Sequence, residues 1–224
     1  LAYMAMTRAT LGTVIVEPHA ARFARHYIIN DATGRAVAVG DANYLMGDMS
    51  VVVDSGGRHR LLPSNMDFHA QGLMKFPTKL CDAQRARILK KLYLNDNKLT
   101  ALPESIGALV GLKELVLYNN ELEQLPDSMG GLVELERLEL DGNYLKVLPD
   151  SIGALIALQD LDLNDNKLVT LPDSIVALTA LRKLDLRDNP LVRPQSAIIE
   201  EWFCELSDRG CILAGVQSDR DASW

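Results

Sequence analysis

The chain has 224 residues, 48% of them hydrophobic, and a formal net charge of −7. Length and apolar share support one or two packed units, and the negative balance argues against a nucleic-acid backbone as partner. No apolar run approaches the roughly 18 residues needed to cross a bilayer, so no membrane span is predicted.

The charge is unevenly placed. Residues 1–62 hold six Arg, no Lys and five acids, a balance of +1, whereas residues 63–224 hold 17 basic and 25 acidic residues, a balance of −8. All four His (His19, His26, His59, His69) precede residue 70. The shift marks residues 1–62 as a separate unit. The first residues, LAYMAMTRAT, lack an initiator Met and a full signal-peptide layout, which reads as a fragment or as a form left after leader removal. Three cysteines, Cys81, Cys204 and Cys211, form no CxC or multi-Cys cluster. That pattern favours buried thiols in a reducing compartment, with a Cys204–Cys211 bridge as the alternative. An intracellular, mainly cytoplasmic location is expected, or an organelle lumen or matrix after leader removal.

Residues 1–62 read as β-rich. LGTVIVE, RHYIIND, RAVAVGD and SVVVD are short β-branched runs, separated by turn signals at Asp31–Gly34 and Asp54–Gly57. They predict four or five strands in antiparallel hairpins. So small a unit is expected to shield the edge of a neighbouring sheet or to join a partner. His19, His26, His59 and Asp31 match no metal-ligand spacing, and the glycine turns lack the Lys-Ser/Thr of a phosphate loop. No nucleophile–base arrangement is present either. No catalytic residue, metal or cofactor is predicted.

From residue 63 the chain repeats itself every 23 residues. Leu89, Leu112, Leu135, Leu158 and Leu181 each open a segment LxxLxLxxNxL, and four copies continue as xxLPxSI or a near variant. A degraded copy lies upstream, with Met66, Phe68, Gln71, Leu73, Phe76 and Pro77 in the matching slots and three extra residues around Asp82–Arg87. Self-similarity at this period predicts a solenoid. In LxxLxL, alternate leucines such as Leu92 and Leu94 point inward on a short strand while Lys91, Tyr93 and Asn95 face out. Successive coils then pair as parallel strands, about six in all. The amide slot, Gln71, Asn97, Asn120, Asn143, Asn166 and Asn189, is expected to bond backbone groups where the chain leaves the sheet. Each LP pair enters a short helical turn, with Ser105, Ser128, Ser151 and Ser174 placed to cap it. Glu104, Asp127, Asp150 and Asp173 stand beside the positive end of its dipole.

At the C-terminal end Pro194 replaces the slot leucine. Ile198, Ile199, Trp202, Phe203 and Leu206 then recur at helical spacing and predict a helix over the last coil. Ile212 and Leu213 are expected to add a final contact. The expected organisation is therefore a β-hairpin-rich extension (1–62), a solenoid (63–190), a cap helix (191–216) and a flexible tail (217–224).

On these motifs residues 63–213 resemble the intracellular leucine-rich-repeat proteins with 23-residue repeats, the small cytosolic and plant Ras-group-related types. The resemblance implies an α/β fold, a leucine-rich-repeat solenoid whose parallel strands line a concave face and whose short helical turns lie on the convex side. It also implies that this face binds proteins and that the repeats carry no catalytic residues. The outward strand positions form three columns: Lys91, Glu114, Arg137, Asp160 and Lys183; Tyr93, Val116, Glu139, Asp162 and Asp185; and Asn95, Tyr118, Asp141, Asn164 and Arg187. The first half of the face is neutral and partly aromatic, the second rich in carboxylates. A partner polypeptide with an apolar end and a basic segment is expected there, in a hetero-complex; the bland alternative is a solvated acidic face that keeps the protein soluble. Family analogy adds a regulatory or targeting subunit that recruits a GTPase or phosphatase. An enzyme built on the N-terminal extension is the remote alternative.

Overall fold

A computed structural model describes residues 64–81 and 85–216, together with the backbone of five short strands nearer the N-terminus. Two compact units are present, Leu1–Met66 with Ile88–Lys90, and Asp67–Arg87 with Lys91–Trp224.

In the first unit the strands are β1 (Ile15–Val16), β2 (Tyr27–Asn30), β3 (Arg35–Ala38), β4 (Met49–Val53) and β5 (His59–Pro63). β2 and β3 pair antiparallel, as do β4 and β5. The expectation of hairpins throughout needs one correction, because β1 runs parallel to β5. More than forty residues separate β1 from β5, and only strands joined by a tight turn are bound to be antiparallel. The turns at Asp31–Gly34 and Asp54–Gly57, the side chains of His19, His26 and Asp31, and the tail from Gln217 lie outside the described residues.

The repeats build one parallel sheet of seven strands: β6 (Asn65–Asp67), β7 (Lys91–Tyr93), β8 (Glu114–Val116), β9 (Arg137–Glu139), β10 (Asp160–Asp162), β11 (Lys183–Asp185) and β12 (Ile212–Ala214). They stand in sequence order with no crossover. Six were expected. The seventh arises because the chain reverses at Gly210 (φ 76°), after the C-terminal helix, and lays Ile212–Ala214 along β11 in the register Lys183↔Ile212. Gly215 then passes so close to Arg187 that an added Cβ would sit 2.4 Å from its amide nitrogen.

The inward leucines behave as the pattern requires. Leu92, Leu115, Leu138, Leu161 and Leu184 are fully buried at the strand centres, as are Leu94, Leu117, Leu140 and Leu163 two residues on. Each contributes about 1.5–3 kcal/mol by leaving water. Opposite the sheet, 3-10 turns run Glu104–Ala108, Asp127–Gly131, Asp150–Ala154 and Asp173–Ala177, each opening on its acid.

The serines do not cap these turns. Pro103, Pro126, Pro149 and Pro172 hold the entry position in extended geometry, with no side-chain cap bond. Each serine thus falls inside its turn as the second residue. Ser128 Oγ, Ser151 Oγ and Ser174 Oγ are buried without a hydrogen-bond partner. Their small size serves packing instead, since they lie directly against Gly107, Gly130 and Gly153 of the preceding coil.

The amide ladder holds from Asn97 to Asn189. Asn143 is representative: its Nδ2 donates to the carbonyls of Leu117 (3.0 Å) and Leu140 (3.0 Å), and its Oδ1 accepts from the Leu122 amide (3.0 Å). One side chain thereby ties three backbone groups, two of them in the preceding coil. Gln71 is the correction. It is exposed, and its Nε2 reaches only the His69 carbonyl (3.3 Å), while its backbone N–H donates to Asn97 Oδ1 (3.1 Å). The extra methylene carries its amide away from the rung, so the ladder starts at Asn97.

The C-terminal helix α1 (Ala197–Asp208) covers the last coil with Ile199, Trp202, Phe203 and Leu206. Ile198, expected in that stripe, is 48% exposed and points to solvent. Its neighbour Ile199 takes the inward position, and adjacent helical residues diverge by about 100°. Arg193 stacks 5.0 Å over the Phe203 ring and pairs with Glu200 at 3.2 Å. Pro194 interrupts the repeat, and Gln195 Oε1 meets the Leu171 amide at 3.0 Å. No disulfide joins Cys204 and Cys211, and burial pushes the Cys211 thiol above its ordinary value.

Candidate partner-binding face

Strand register places the outward side chains in columns. The first column alternates in sign through the pairings Lys91↔Glu114, Glu114↔Arg137, Arg137↔Asp160 and Asp160↔Lys183. Lys91 Nζ lies 2.8 Å from Glu114, and Arg137 lies 3.4 Å from Asp160 and 3.4 Å from Glu139. Such exposed pairs contribute about 0–1 kcal/mol each. The column neutralises itself and leaves little charge for a partner.

The second column holds Tyr93, Val116, Glu139, Asp162 and Asp185. Two of these expected contact residues do not present surface. Val116 is 4% exposed, held in register between the longer Tyr93 and Glu139. Asp185 is 2% exposed beneath Arg187, whose Nε and Nη2 reach its carboxylate at 3.0 and 2.6 Å. Burial opposes ionisation of Asp185, but the Arg187 guanidinium and backbone amide outweigh it and hold the carboxyl below its ordinary value. Asp162 is paired with Lys183 at 3.1 Å. Glu139 is raised by burial first, with Arg137 opposing and Glu114 and Asp162 adding. The Tyr93 phenol is likewise raised by burial and then by Glu114.

The third column runs Asn95, Tyr118, Asp141, Asn164 and Arg187, its order fixed by the bonds from the Asp96, Asn119, Gly142 and Asp165 amides to the carbonyls of Tyr118, Asp141, Asn164 and Arg187. Asn95 is the third correction: it is 7% exposed and spends its amide on Asp96 at 2.7 Å. Tyr118 is half-buried, and burial together with the charges of Asp96, Glu139, Asp141 and Asp67 raises its phenol. Burial, then the charge of Asp162, pushes Asp141 from its ordinary 3.8 up to about 6.

A fourth column went unread in the sequence. Asp96, Asn119, Gly142, Asp165 and Asp188 all take positive φ, between 49° and 63°, immediately before the ladder asparagines. The signal was present, because Asp, Asn and Gly are the residues that tolerate this conformation and they alone fill the slot. Three of its four side chains add negative charge at the border of the face. Also unread was an exposed apolar row, Val110, Val133 and Ile156, on the loops that lead into β8, β9 and β10.

The shift of Asp141 has a sign that can be checked. Its folded-state pKa is raised, so the native chain holds this proton more tightly than the unfolded chain. The stabilisation is complete below about pH 4 and is lost as the pH rises to about 6. Asp141→Asn removes the penalty of the charged form. The variant is expected to be about 1 kcal/mol more stable than the parent at pH 7.5, after allowance for solvent screening, and near equal at pH 4. Urea titrations at the two pH values measure it; a gain of equal size at both would contradict this account.

Away from this face, an open cleft of about 630 Å³ lies at the last coil, lined by Gln159, Thr179, Ala180, Leu181, Arg182, Arg209, Gly210, Cys211 and Ile212. Among the described residues, no group of three or more His, Cys, Asp or Glu is placed to hold a metal ion, and no helix is long and apolar enough to cross a membrane.

The comparisons agree with this geometry. The family model described as "Leucine rich repeat" matches residues 87–145 and 134–191. A leucine-rich-repeat protein of Leptospira interrogans is similar at 38% identity and a TM-score of 0.53, over 61% of this chain and 40% of that one. The leucine-rich-repeat ectodomain of a plant membrane receptor kinase from Arabidopsis thaliana, solved in complex with Casparian strip integrity factor 2, is similar at 34% identity and a TM-score of 0.49, over 55% of this chain and 15% of that one. The chain thus spans less than half the length of either. No curated protein matches the sequence.

Proposed function

This chain is a leucine-rich-repeat protein, and from that premise we propose that it is a non-catalytic interaction module whose concave sheet face binds a partner polypeptide. Repeats of this kind are generally protein-binding scaffolds, which supports the reading. The observation that carries the reading is the pairing of two half-buried tyrosines, Tyr93 and Tyr118, with a carboxylate-rich second half. Tyrosine anchors binding at small entropic loss, and Glu139, Asp141 and Asp162 favour a partner with a basic segment. With seven strands about 4.8 Å apart, the face spans roughly 29 Å, which accepts a helix of about 19 residues. The protein is proposed to act as a fixed component of a hetero-complex.

A photo-crosslinking phenylalanine analogue at Tyr93, and a second at Val147 on the exposed opposite side, tests the assignment in native extract. Adducts of a discrete polypeptide mass are expected from Tyr93 alone. Adducts from Val147 with none from Tyr93 would place the partner elsewhere.

A further inference from the structure

We propose that Tyr118, Asp141 and Asn164 form a subsite for an arginine side chain of the partner, an inference that rests on the sheet face being the binding surface. The three residues are successive in one column, on adjacent coils, so the outer two are roughly 10 Å apart at the backbone.

What distinguishes them is a shortage of donors. The carboxylates of the first two columns around it have cations: Glu139 and Asp160 share Arg137, Asp162 has Lys183, and Asp185 has Arg187. Asp141 has no such partner among the described residues. Beside it, Asn164 Oδ1 is buried with no hydrogen-bond partner, while the Asn164 backbone N–H is already given to Asp162 at 3.2 Å. A half-buried carboxylate and a residue with an orphaned amide oxygen thus occupy successive positions of one column, and a buried acceptor left unmatched is costly. Tyr118 supplies an aromatic ring on the other flank of Asp141. Among the described residues Lys183 is the base that acts on Asp141, and it is held by Asp162.

The missing piece must therefore bring several planar donors, a positive charge and a flat face. A guanidinium has five N–H groups in a fixed fork and stacks on aromatic rings. An ammonium is a compact point charge and cannot serve the carboxylate, the amide oxygen and the ring together. Arginine is favoured over lysine for that reason.

The site also carries its own pH dependence. Burial first, then Asp162 on β10 and Glu139 on β9, opposed by its own backbone amide and by Lys183 on β11, push Asp141 up to about 6; Tyr118, beyond the end of β8, also faces it. An incoming cation needs the ionised form. Binding should weaken roughly tenfold between pH 7.5 and pH 5, the fraction ionised falling by that factor around the midpoint.

The test is a titration of the isotopically labelled chain with N-acetyl-arginine amide, followed by NMR at the backbone amides of Tyr118, Asp141 and Asn164. Saturable shifts at these positions at pH 7.5 are expected, with roughly tenfold weaker binding at pH 5. Asp141→Asn should weaken binding by roughly tenfold or more and remove the pH dependence. Asp165→Asn, on the exposed border, should leave both unchanged, and N-acetyl-lysine amide should bind more weakly than the arginine probe. Unchanged binding in Asp141→Asn, shifts scattered over the surface, or equal binding of the lysine probe would overturn the assignment. If the Tyr93 crosslink forms while arginine fails to bind here, the interaction module stands and only this subsite falls.

Discussion

Asn143→Ala is expected to cost about 3–5 kcal/mol of folding free energy. The side chain is fully buried and joins the Leu117 and Leu140 carbonyls and the Leu122 amide. Alanine leaves the Leu122 amide unmatched and takes from each carbonyl one of its two amide donors, the other being Asn120 or Asn166, in a space that water cannot enter. The same change at Asn189, whose bonds to the Leu163 and Leu186 carbonyls lie in a half-exposed coil, should cost only about 1–2 kcal/mol. Urea unfolding of both variants, compared through midpoint and slope, gives the two numbers. Equal losses would show that the rungs do not depend on exclusion of water.

Gly153→Ala should be nearly as damaging, by the opposite route. The added Cβ would meet the Ser174 carbonyl oxygen at 2.3 Å, a backbone atom that moves only if the next coil moves. Overpacking of this kind costs about 1–3 kcal/mol, and a backbone collision belongs at the upper end. Gly130→Ala offers the control, because its nearest contacts, Ser151 Cβ and O, lie at 3.0 Å and a few tenths of an ångström relieve them. The expected order is a fall in Tm of about 6–12 °C for Gly153→Ala and less than half that for Gly130→Ala. An inverted order would mean that coil spacing is not set at these glycines. The fourth copy carries Val176 in the same slot, where the next coil no longer continues as a 3-10 turn.

The parts of this molecule that could be read from the residues are those fixed by repetition. Leucine spacing gave the strands, and a five-fold asparagine gave the ladder, because each error would have had to occur five times over. What escaped notice depends on neighbours rather than on pattern. Val116 and Asp185 alternate outward correctly, yet a short side chain between longer ones is covered, and Asp185 is roofed by an arginine two residues away. Ser128 has the right chemistry for a cap, but Pro126 had already taken the entry. Gln71 shares an amide with asparagine and lacks its reach. The strand at Ile212–Ala214 carries only three weakly apolar residues, and its place is dictated by the reversal at Gly210. Of the face, the tyrosines and carboxylates were visible in advance; the orphaned Asn164 oxygen was not, since it follows from which bonds its surroundings leave unmade.

The sign alternation in the outermost column imposes a parity on how the molecule can grow or shrink. Loss of one whole 23-residue unit, residues 112–134, would set Lys91 beside Arg137, like against like; loss of two, residues 112–157, would set it beside Asp160. Duplications obey the same rule. Lineages that lengthen or shorten this solenoid without rewriting its surface should therefore do so in even steps, a bookkeeping of charge that the interior leucines, which repeat from coil to coil, would never enforce.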